Sequence, residues 1–236
     1  GACSYPDCFV AWDRFLRKEH GNDYMKRIRE GEDELAKKKI LAQFQNLIYS
    51  FNFPFRSAQS AFTNLSVMDK GYMKSLFGEY YLPDGTLADL ESSQELSKLF
   101  FEYFNDINGK EGMFTFPVMT LSLSLDPDSN YIDPDFKKWI SKYNCRKSFS
   151  NVFIGEPDIY SSCCRLSNNI KKAGGLGFQN SFGVGGLSLG SHRVAGLNLA
   201  RISLLEKDDP SIMENDIEML HKILYAHRCL IKEKKY

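Results

Sequence analysis

The chain has 236 residues, of which 43% are hydrophobic and 14% aromatic, enough to bury the core of one large domain or two small ones. Thirty basic and thirty acidic residues cancel, so the overall charge favours neither a nucleic acid nor an anionic membrane as a partner. No signal segment opens the sequence and no apolar run approaches the roughly 18 residues of a membrane span, which predicts a soluble, cytoplasmic protein.

Hydrophobic periodicity predicts helices that alternate with short strands. The predicted helices cover 8–20, 33–48, 69–77, 89–104, 133–143 and 210–232, and the predicted strands cover 62–67, 113–125, 151–154 and 194–204. In the strand over 113–125, apolar residues alternate with hydroxyl residues, so the hydroxyls should line one face. This order of elements is typical of a layered or barrel α/β fold.

The cysteines are spread without the paired C-x-x-C spacing of a zinc site, which predicts free thiols and no bound metal. They are Cys3, Cys8, Cys145, Cys163, Cys164 and Cys229. The adjacent Cys163 and Cys164 suit an internal disulfide poorly, because bridged cysteines need Cα atoms farther apart than the roughly 3.8 Å between consecutive residues. The residues alone leave two interpretations: a loop that presents one sulfur, or a pair of buried thiols, which is the usual state of free cysteine.

Two further segments are interpreted as loops. Residues 51–61 break the second helix at Pro54 and continue in small polar residues, and loops of this kind often carry function. Residues 174–190 contain seven glycines, which fits either a flexible segment or a backbone that passes close to a ligand. This glycine-rich segment lacks the lysine and hydroxyl ending of a phosphate-binding loop.

Five segments, taken in chain order, resemble the anaerobic (class III) ribonucleoside-triphosphate reductases. They are ACSYPD at 2–7, QSAFTN at 59–64, MFTFP at 113–117, CCRL at 163–166 and LNLARI at 197–202. The resemblance implies an α/β fold that is part of a ten-stranded α/β barrel of the glycyl radical enzyme type, with a finger loop through its centre. It also implies a free-radical reduction of ribonucleoside triphosphates to 2′-deoxyribonucleotides.

The resemblance covers nearly the whole chain and implies one catalytic-barrel fragment over 1–236. Residues 1–50 would hold the first strand and the helices that dimerise and lie beside effector deoxynucleotides. Residues 51–67 would form the effector-to-substrate loop and a strand. Residues 113–204 would supply barrel strands and the Cys-Cys finger loop.

Four catalytic residues are implied by the resemblance. Cys164 is the expected site of a thiyl radical that removes the 3′ hydrogen of the ribose, with Cys163 as the alternative. Cys3, at the end of the first barrel strand, resembles the second active-site cysteine on the opposite face of the ribose. Asn198, on the strand after the glycine-rich segment, resembles the asparagine that binds ribose hydroxyls and positions formate, the usual reductant of the family.

Five binding residues are implied in the same way. Ser60, Thr63 and Asn64 are expected to contact the substrate. Arg56 and Gln59 are expected to carry the identity of the effector to the substrate base.

Several of these roles have a structural alternative. Cys3 could be an inert thiol, and Asn198 could satisfy backbone groups within a barrel strand. The hydroxyls of Thr115 and Thr120 could bond neighbouring strands rather than a ligand.

The family stores its radical on a glycine near the C-terminus, in an Arg-x-x-Gly-Tyr context beside a four-cysteine zinc site, and this sequence contains neither. A C-terminal segment or a partner polypeptide is therefore expected to supply the glycyl radical, with further flanking reductase fragments and a radical SAM activase. Ribonucleoside triphosphates, deoxynucleoside triphosphate effectors and a second copy of the chain are the other expected partners.

Two other functions stay open on the sequence. A pyruvate formate-lyase-like acyltransferase also uses adjacent cysteines in a glycyl radical barrel, but it would need no nucleotide effector loop. A non-catalytic remnant would dimerise and bind nucleotides without turnover.

Overall fold

The computed structural model describes residues 2–54, 62–110, 112–145, 150–161, 167–169, 197–205, 209 and 211–233. The chain divides into two compact units, Gly1–Leu189 and Gly190–Tyr236. Among the described residues, no helix is both long enough and apolar enough to cross a membrane.

Helices and strands alternate through the described part of the first unit. In chain order they are β1 Ala2–Tyr5, α1 Cys8–His20, α2 Tyr24–Glu30, α3 Glu34–Asn52, β2 Phe62–Met68, α4 Lys70–Phe77, α5 Leu90–Ile107, β3 Val118–Ser124, α6 Pro134–Asn144, β4 Ser150–Gly155, β5 Ile159–Ser161 and β6 Ser167–Asn169. The described part of the second unit contains the helices α7 Leu199–Leu205 and α8 Ile212–Glu233.

The strands β1 to β4 form one parallel sheet in the order β1-β2-β3-β4. Helices join each strand to the next: α1 to α3 follow β1, α4 and α5 follow β2, and α6 follows β3. Parallel neighbours need crossover connections of this kind, and the sheet is therefore a run of β-α-β units. The predicted α/β fold is confirmed, whereas the ten-stranded barrel stays a prediction.

The main hydrophobic core lies between one face of this sheet and the helices α1, α2, α3, α5 and α6. The sheet contributes a row of apolar side chains that are at most 4% exposed: Leu65, Val67, Met119, Leu121 and Leu123. From the helices, Phe44 meets Phe100 edge-on at 5.0 Å between ring centroids. Such aromatic pairs add packing energy beyond the area that they bury.

Aspartates cap the start of four helices, α3 to α6. In each case the carboxylate accepts a hydrogen bond from the amide three residues ahead: Asp33 from Ala36, Asp69 from Tyr72, Asp89 from Ser92 and Asp133 from Phe136. The sequence predicts helices from these same aspartates, and the structure begins each helix one residue later because a cap residue is only half within its helix.

The strand predicted over 113–125 is shorter in the structure, where β3 begins at Val118. Upstream of it, the backbone of 114–116 pairs with the side chains of Asn52 and Asn108. Pro117 has no N–H to give to a strand ladder. The ladder therefore starts directly after the proline.

The strand predicted over 194–204 is wrong for its described residues, because Leu199–Leu205 is the helix α7. Asn198 is exposed, and its Oδ1 accepts a hydrogen bond from the Arg201 amide at 3.0 Å. An asparagine that bonds an amide of the first turn is a good helix N-cap, and the leucine, alanine and arginine that follow favour helix. The resemblance implied that Asn198 lies on a strand, and the structure instead places it directly before a helix.

The helix α2 was not expected from the sequence. It has only seven residues, too few for a clear period, and it ends at Gly31 in a left-handed conformation with φ of 77°. Its buried residues Tyr24, Met25 and Ile28 join the main core.

Candidate functional site

One face of the parallel sheet is lined by buried polar side chains. Successive side chains of a strand point to opposite faces, so the face opposite the main core carries Asn64, Ser66, Thr120, Ser122 and Ser124 from β2 and β3. These five residues, here called the polar face, are at most 3% exposed. Because buried polar groups need hydrogen-bond partners, the partners of each residue indicate what this face does. The predicted row of hydroxyls on one face of β3 is confirmed.

Asn64 ties β2 to β3 across the polar face. Its Nδ2 donates to the carbonyl of Val118 at 2.9 Å and to Oγ1 of Thr120 at 2.8 Å. Thr120 therefore takes the structural role that the sequence left open, a bond between neighbouring strands. These bonds also hold the Asn64 amide in one orientation.

The carboxylate of Asp69 closes the C-terminal end of the polar face. One oxygen accepts hydrogen bonds from the amide and the hydroxyl of Ser124, both at 2.6 Å, and the other accepts from the amide of Tyr72 at 2.9 Å. Gly71 lies against the same group, since a Cβ at that position would be 2.1 Å from Oγ of Ser124. A carboxylate engaged by three donors is a structural anchor.

Two buried hydroxyls of β2 and β3 lack a hydrogen-bond partner among the described residues. They are Oγ of Ser122, on the polar face, and Oγ1 of Thr63, on the opposite face of the sheet. Leaving a buried hydroxyl unpaired costs about 1–3 kcal/mol. Ser122 is therefore the member of the polar face whose hydroxyl has no partner among the described residues.

The hairpin β5-β6 is attached to the same end of the sheet through α4. The hydroxyl of Tyr72 donates to the carbonyl of Ile159 at 2.9 Å, and Oγ of Ser75 donates to Asp158 at 2.8 Å. Burial and the nearby carboxylate of Asp69 raise the pKa of Tyr72, so its hydroxyl stays a donor at physiological pH. In the hairpin, Ser161 pairs with Ser167, and residues 162–166 between them lie outside the described residues.

The structure places only some of the predicted site residues. Cys3 lies on β1, in register with Thr63, and the next pair in the ladder is Ser4 with Asn64. Thr63 and Asn64 point to opposite faces, so a ligand over one face reaches only one of them directly. Asn198 belongs to the second unit.

Five predicted residues lie outside the described residues: Arg56, Gln59, Ser60, Cys163 and Cys164. Sequence reasoning did not single out Ser122. The sequence pattern that includes Ser122 is the alternation of hydroxyl residues along β3. This pattern predicts that the hydroxyls share one face, but it does not show which of them lacks a partner among the described residues.

A small cavity of about 230 Å³ lies elsewhere in the first unit, at the end of α5. It is lined by Phe104, Asn108, Met113, Phe114, Thr115 and Pro117. None of these described lining residues belongs to the polar face.

These features define an α/β protein with a parallel sheet, a buried polar face and a hairpin that flanks adjacent cysteines. A family model described as anaerobic ribonucleoside-triphosphate reductase matches residues 1–236. The chain belongs to this family, as the resemblance of the five segments predicted.

Solved structures of the anaerobic ribonucleotide reductase from Thermotoga maritima are similar to the chain. The structure with citrate in the active site is 33% identical, with a TM-score of 0.54 over 65% of this chain and 26% of that chain. The complex with dATP and CTP is 33% identical, with a TM-score of 0.56 over 66% and 25%. The structure with glycerol in the active site is 30% identical, with a TM-score of 0.59 over 99% and 37%.

The chain thus spans between about a quarter and 37% of the solved chains that it matches. The comparison with curated proteins gives no significant match. The chain is a portion of an anaerobic ribonucleotide reductase.

Proposed function

We propose that this chain forms part of the ten-stranded catalytic barrel of an anaerobic reductase that converts ribonucleoside triphosphates to 2′-deoxyribonucleotides. The observation that carries the proposal is the polar face, where Asn64 is held in place and Ser122 has a hydroxyl without a described partner. A ribose or phosphate group offers the hydroxyl and oxygen atoms that such a face can bind. Because the chain belongs to the anaerobic ribonucleoside-triphosphate reductase family, a ribonucleotide is the proposed substrate.

Substrate contacts are assigned first to Asn64 and Ser122. Ser60 and Thr63 remain proposed contacts, although Thr63 lies on the face of the sheet opposite Asn64. One of the similar structures holds dATP and CTP, which supports nucleotides as ligands of this chain.

The proposed chemistry begins with a thiyl radical on Cys164, or on Cys163 as the alternative. The thiyl radical takes the 3′ hydrogen of the ribose and becomes a thiol, which is feasible because S–H and C–H bonds have similar strengths. The 2′ hydroxyl then leaves as water. The pairing of Ser161 with Ser167 supports this assignment, since it brings the two strands that flank these cysteines together beside α4.

Two electrons are needed to complete the reduction, and formate is the proposed source. One ribonucleoside triphosphate, one formate and one proton then give one deoxyribonucleoside triphosphate, one carbon dioxide and one water. Asn198 is the proposed ligand of formate and of the ribose hydroxyls. Cys3 is the proposed second thiol, which supplies hydrogen during loss of the 2′ hydroxyl and regains it from formate, with an inert thiol as the alternative. The first thiol then returns its hydrogen to the 3′ carbon, which restores the thiyl radical.

A glycyl radical on a C-terminal segment or partner polypeptide would supply the unpaired electron after a radical SAM activase has generated it. Effector deoxynucleotides are proposed to bind beside α1 to α3, at an interface between two copies of the chain, with Arg56 and Gln59 reading their identity. A similar structure with dATP bound in the specificity site supports this regulation.

The proposal is tested by anaerobic reconstitution of the chain with its flanking segments, the activase and formate, followed by measurement of deoxynucleotide formation. The unaltered chain should give product, and Cys164→Ala should give none. The matched control is Cys145→Ala, at an exposed cysteine outside the proposed site, which should keep the activity. Nucleotide binding without product in every assembly would refute the proposed reaction and favour a non-catalytic nucleotide-binding protein.

A further inference from the structure

Asn52, the last residue of α3, makes as many hydrogen bonds as a side-chain amide can make. Its Nδ2 donates to the carbonyl of Ile48 at 2.8 Å and to the carbonyl of Phe116. Its Oδ1 accepts from the amides of Thr115 at 3.0 Å and Phe116 at 3.1 Å. Two donors and two acceptor positions are all used, so the amide has one orientation and joins α3 to the segment before β3.

Phe116 receives a second contact from the other end of the connection between α3 and β2. The ring of Phe62, the first residue of β2, meets the ring of Phe116 edge-on at 5.1 Å between centroids. Asn52 and Phe62 are the described residues of α3 and β2 nearest to that connection in sequence. Residues on both sides of the connection between α3 and β2 therefore contact Phe116.

Phe116 is also close to β3 along the chain, because only Pro117 separates it from Val118. The strand β3 carries Thr120 and Ser122 on the polar face. Three hydrogen bonds thus join the end of α3 to Thr115 and Phe116, and Phe116 lies two positions before the strand that lines the proposed site.

A second asparagine, at the end of α5, holds the same segment through Phe114. Asn108, the residue after α5, donates from Nδ2 to the carbonyl of Phe114 at 3.1 Å and accepts from the amide of Phe114 at 3.2 Å. It pairs with the backbone in the same manner as Asn52. The ring of Phe114 also meets the ring of Tyr49, on α3, at 5.4 Å between centroids. The two asparagines therefore differ in the helix that their side chains tie to the segment, α3 for Asn52 and the end of α5 for Asn108.

We propose that Asn52 is a positioning residue that couples α3 to β3 through Phe116, so that an effector bound at the helices changes the polar face. The inference rests on the proposed function, since it takes α1 to α3 as the effector-binding helices. It adds a route that runs through the segment before β3 and is distinct from the roles assigned to Arg56 and Gln59. Asn108 is expected to support the fold alone.

The first test compares Asn52→Ala with Asn108→Ala in the reconstituted reductase. The readout is the change that a deoxynucleoside triphosphate effector causes in the ratio of kcat/KM for two ribonucleotide substrates, with the effector Kd measured alongside. Couplings between sites commonly amount to 5- to 150-fold. We expect Asn52→Ala to reduce the effector-induced change about tenfold and Asn108→Ala to leave it near the unaltered value. A full response in Asn52→Ala, or an equal loss in both variants, would overturn the proposal.

The second test uses the unaltered protein and needs effector binding but no turnover. Amide hydrogen exchange is followed at Thr115 and Phe116, which donate to Asn52, and at Phe136, which donates to Asp133 at the start of α6. The effector should change exchange of the first two amides about tenfold and leave that of Phe136 unchanged. Equal changes at all three amides, or none at any, would overturn the coupling.

The two tests separate the inference from the proposed function. Absence of product with a normal exchange response would refute the reaction and leave the coupling standing. Product formation with no exchange response would support the reaction and refute the coupling. Absence of saturable effector binding would refute the coupling together with the regulatory part of the proposed function.

Discussion

The two faces of the parallel sheet are buried to the same degree but are built from different chemistry. The apolar row Leu65, Val67, Met119, Leu121 and Leu123 and the polar row Asn64, Ser66, Thr120, Ser122 and Ser124 are all at most 4% exposed. Burial alone stabilises the apolar row, whereas each member of the polar row needs a partner to offset its loss of water. The comparison teaches that the apolar row is stabilised by packing in the main core, whereas the polar row depends on hydrogen bonds, with Ser122 left without a partner among the described residues.

The largest effect on stability is expected on the apolar face, from Leu121→Ala. The side chain is fully buried in the main core, and its loss leaves a cavity that the packed helices cannot close. We expect the free energy of unfolding to fall by about 2–5 kcal/mol, measured by urea denaturation. A loss below about 1 kcal/mol would show that this face is not the main source of stability, and Val152→Ala, at a partly exposed position of β4, is the matched control.

A smaller effect is expected on the polar face, from Thr120→Val. The substitution keeps the shape of the side chain and removes the acceptor of the Asn64 amide, which leaves one N–H unpaired in a buried site. The free energy of unfolding should fall by about 1–3 kcal/mol in the same urea experiment. Thr120→Ser retains the hydroxyl and should lose less. An equal loss in both variants would mean that the methyl group, and not the hydrogen bond, supports the strand.

A pH-dependent effect is expected from Asp13, a carboxyl buried among α1, α2 and α5 on the apolar side. Burial raises the pKa of Asp13, against the hydrogen bonds from Ser92 and Tyr24. A raised pKa means that the folded state holds the proton more tightly, so this contribution to stability is present below the unfolded pKa of about 3.9 and is lost as pH rises through the folded value. Asp13→Asn should therefore gain stability relative to the unaltered chain as pH rises from about 3 to 7.

The control for this prediction is Asp84, an exposed carboxyl with the opposite shift. Hydrogen bonds from Thr86 lower the pKa of Asp84 to about 2, so its contribution is present above the unfolded pKa and is lost as pH falls through the folded value. Urea denaturation of Asp13→Asn and Asp84→Asn across this pH range should show slopes of opposite sign relative to the unaltered chain. Slopes of the same sign would contradict the assignment of the Asp13 shift to burial.

Local signals predicted the elements whose causes are local. The aspartates that cap α3 to α6 marked four helix starts, and the alternation along β3 marked its row of hydroxyls. The same kind of reasoning failed in the strand predicted over 194–204, because the Asn198 cap and the helix-forming residues after it make Leu199–Leu205 a helix.

The open hydroxyl of Ser122 could not be predicted because it depends on contacts that are distant in sequence. Asn64 bonds Thr120 across 56 positions, and Asp69 bonds Ser124 across 55. These serine and threonine neighbours are therefore paired, whereas Ser122 has no partner among the described residues. Likewise, the pairing of Asn52 with Phe116 joins residues 64 positions apart. Only the folded structure shows which buried polar side chains lack a hydrogen-bond partner among the described residues.

The central claim, that the polar face binds the ribonucleotide, is tested most directly by the ribonucleoside triphosphate Kd of Ser122→Ala in the assembled reductase. Ser97→Ala is the matched control, because the Ser97 hydroxyl is buried in α5 and already bonded to the carbonyl of Gln94. We expect Ser122→Ala to raise the Kd about 5- to 30-fold, the equivalent of about 1–2 kcal/mol for a lost hydrogen bond, while stability without nucleotide does not fall. An unchanged Kd in Ser122→Ala, or an equal rise in Ser97→Ala, would contradict the claim.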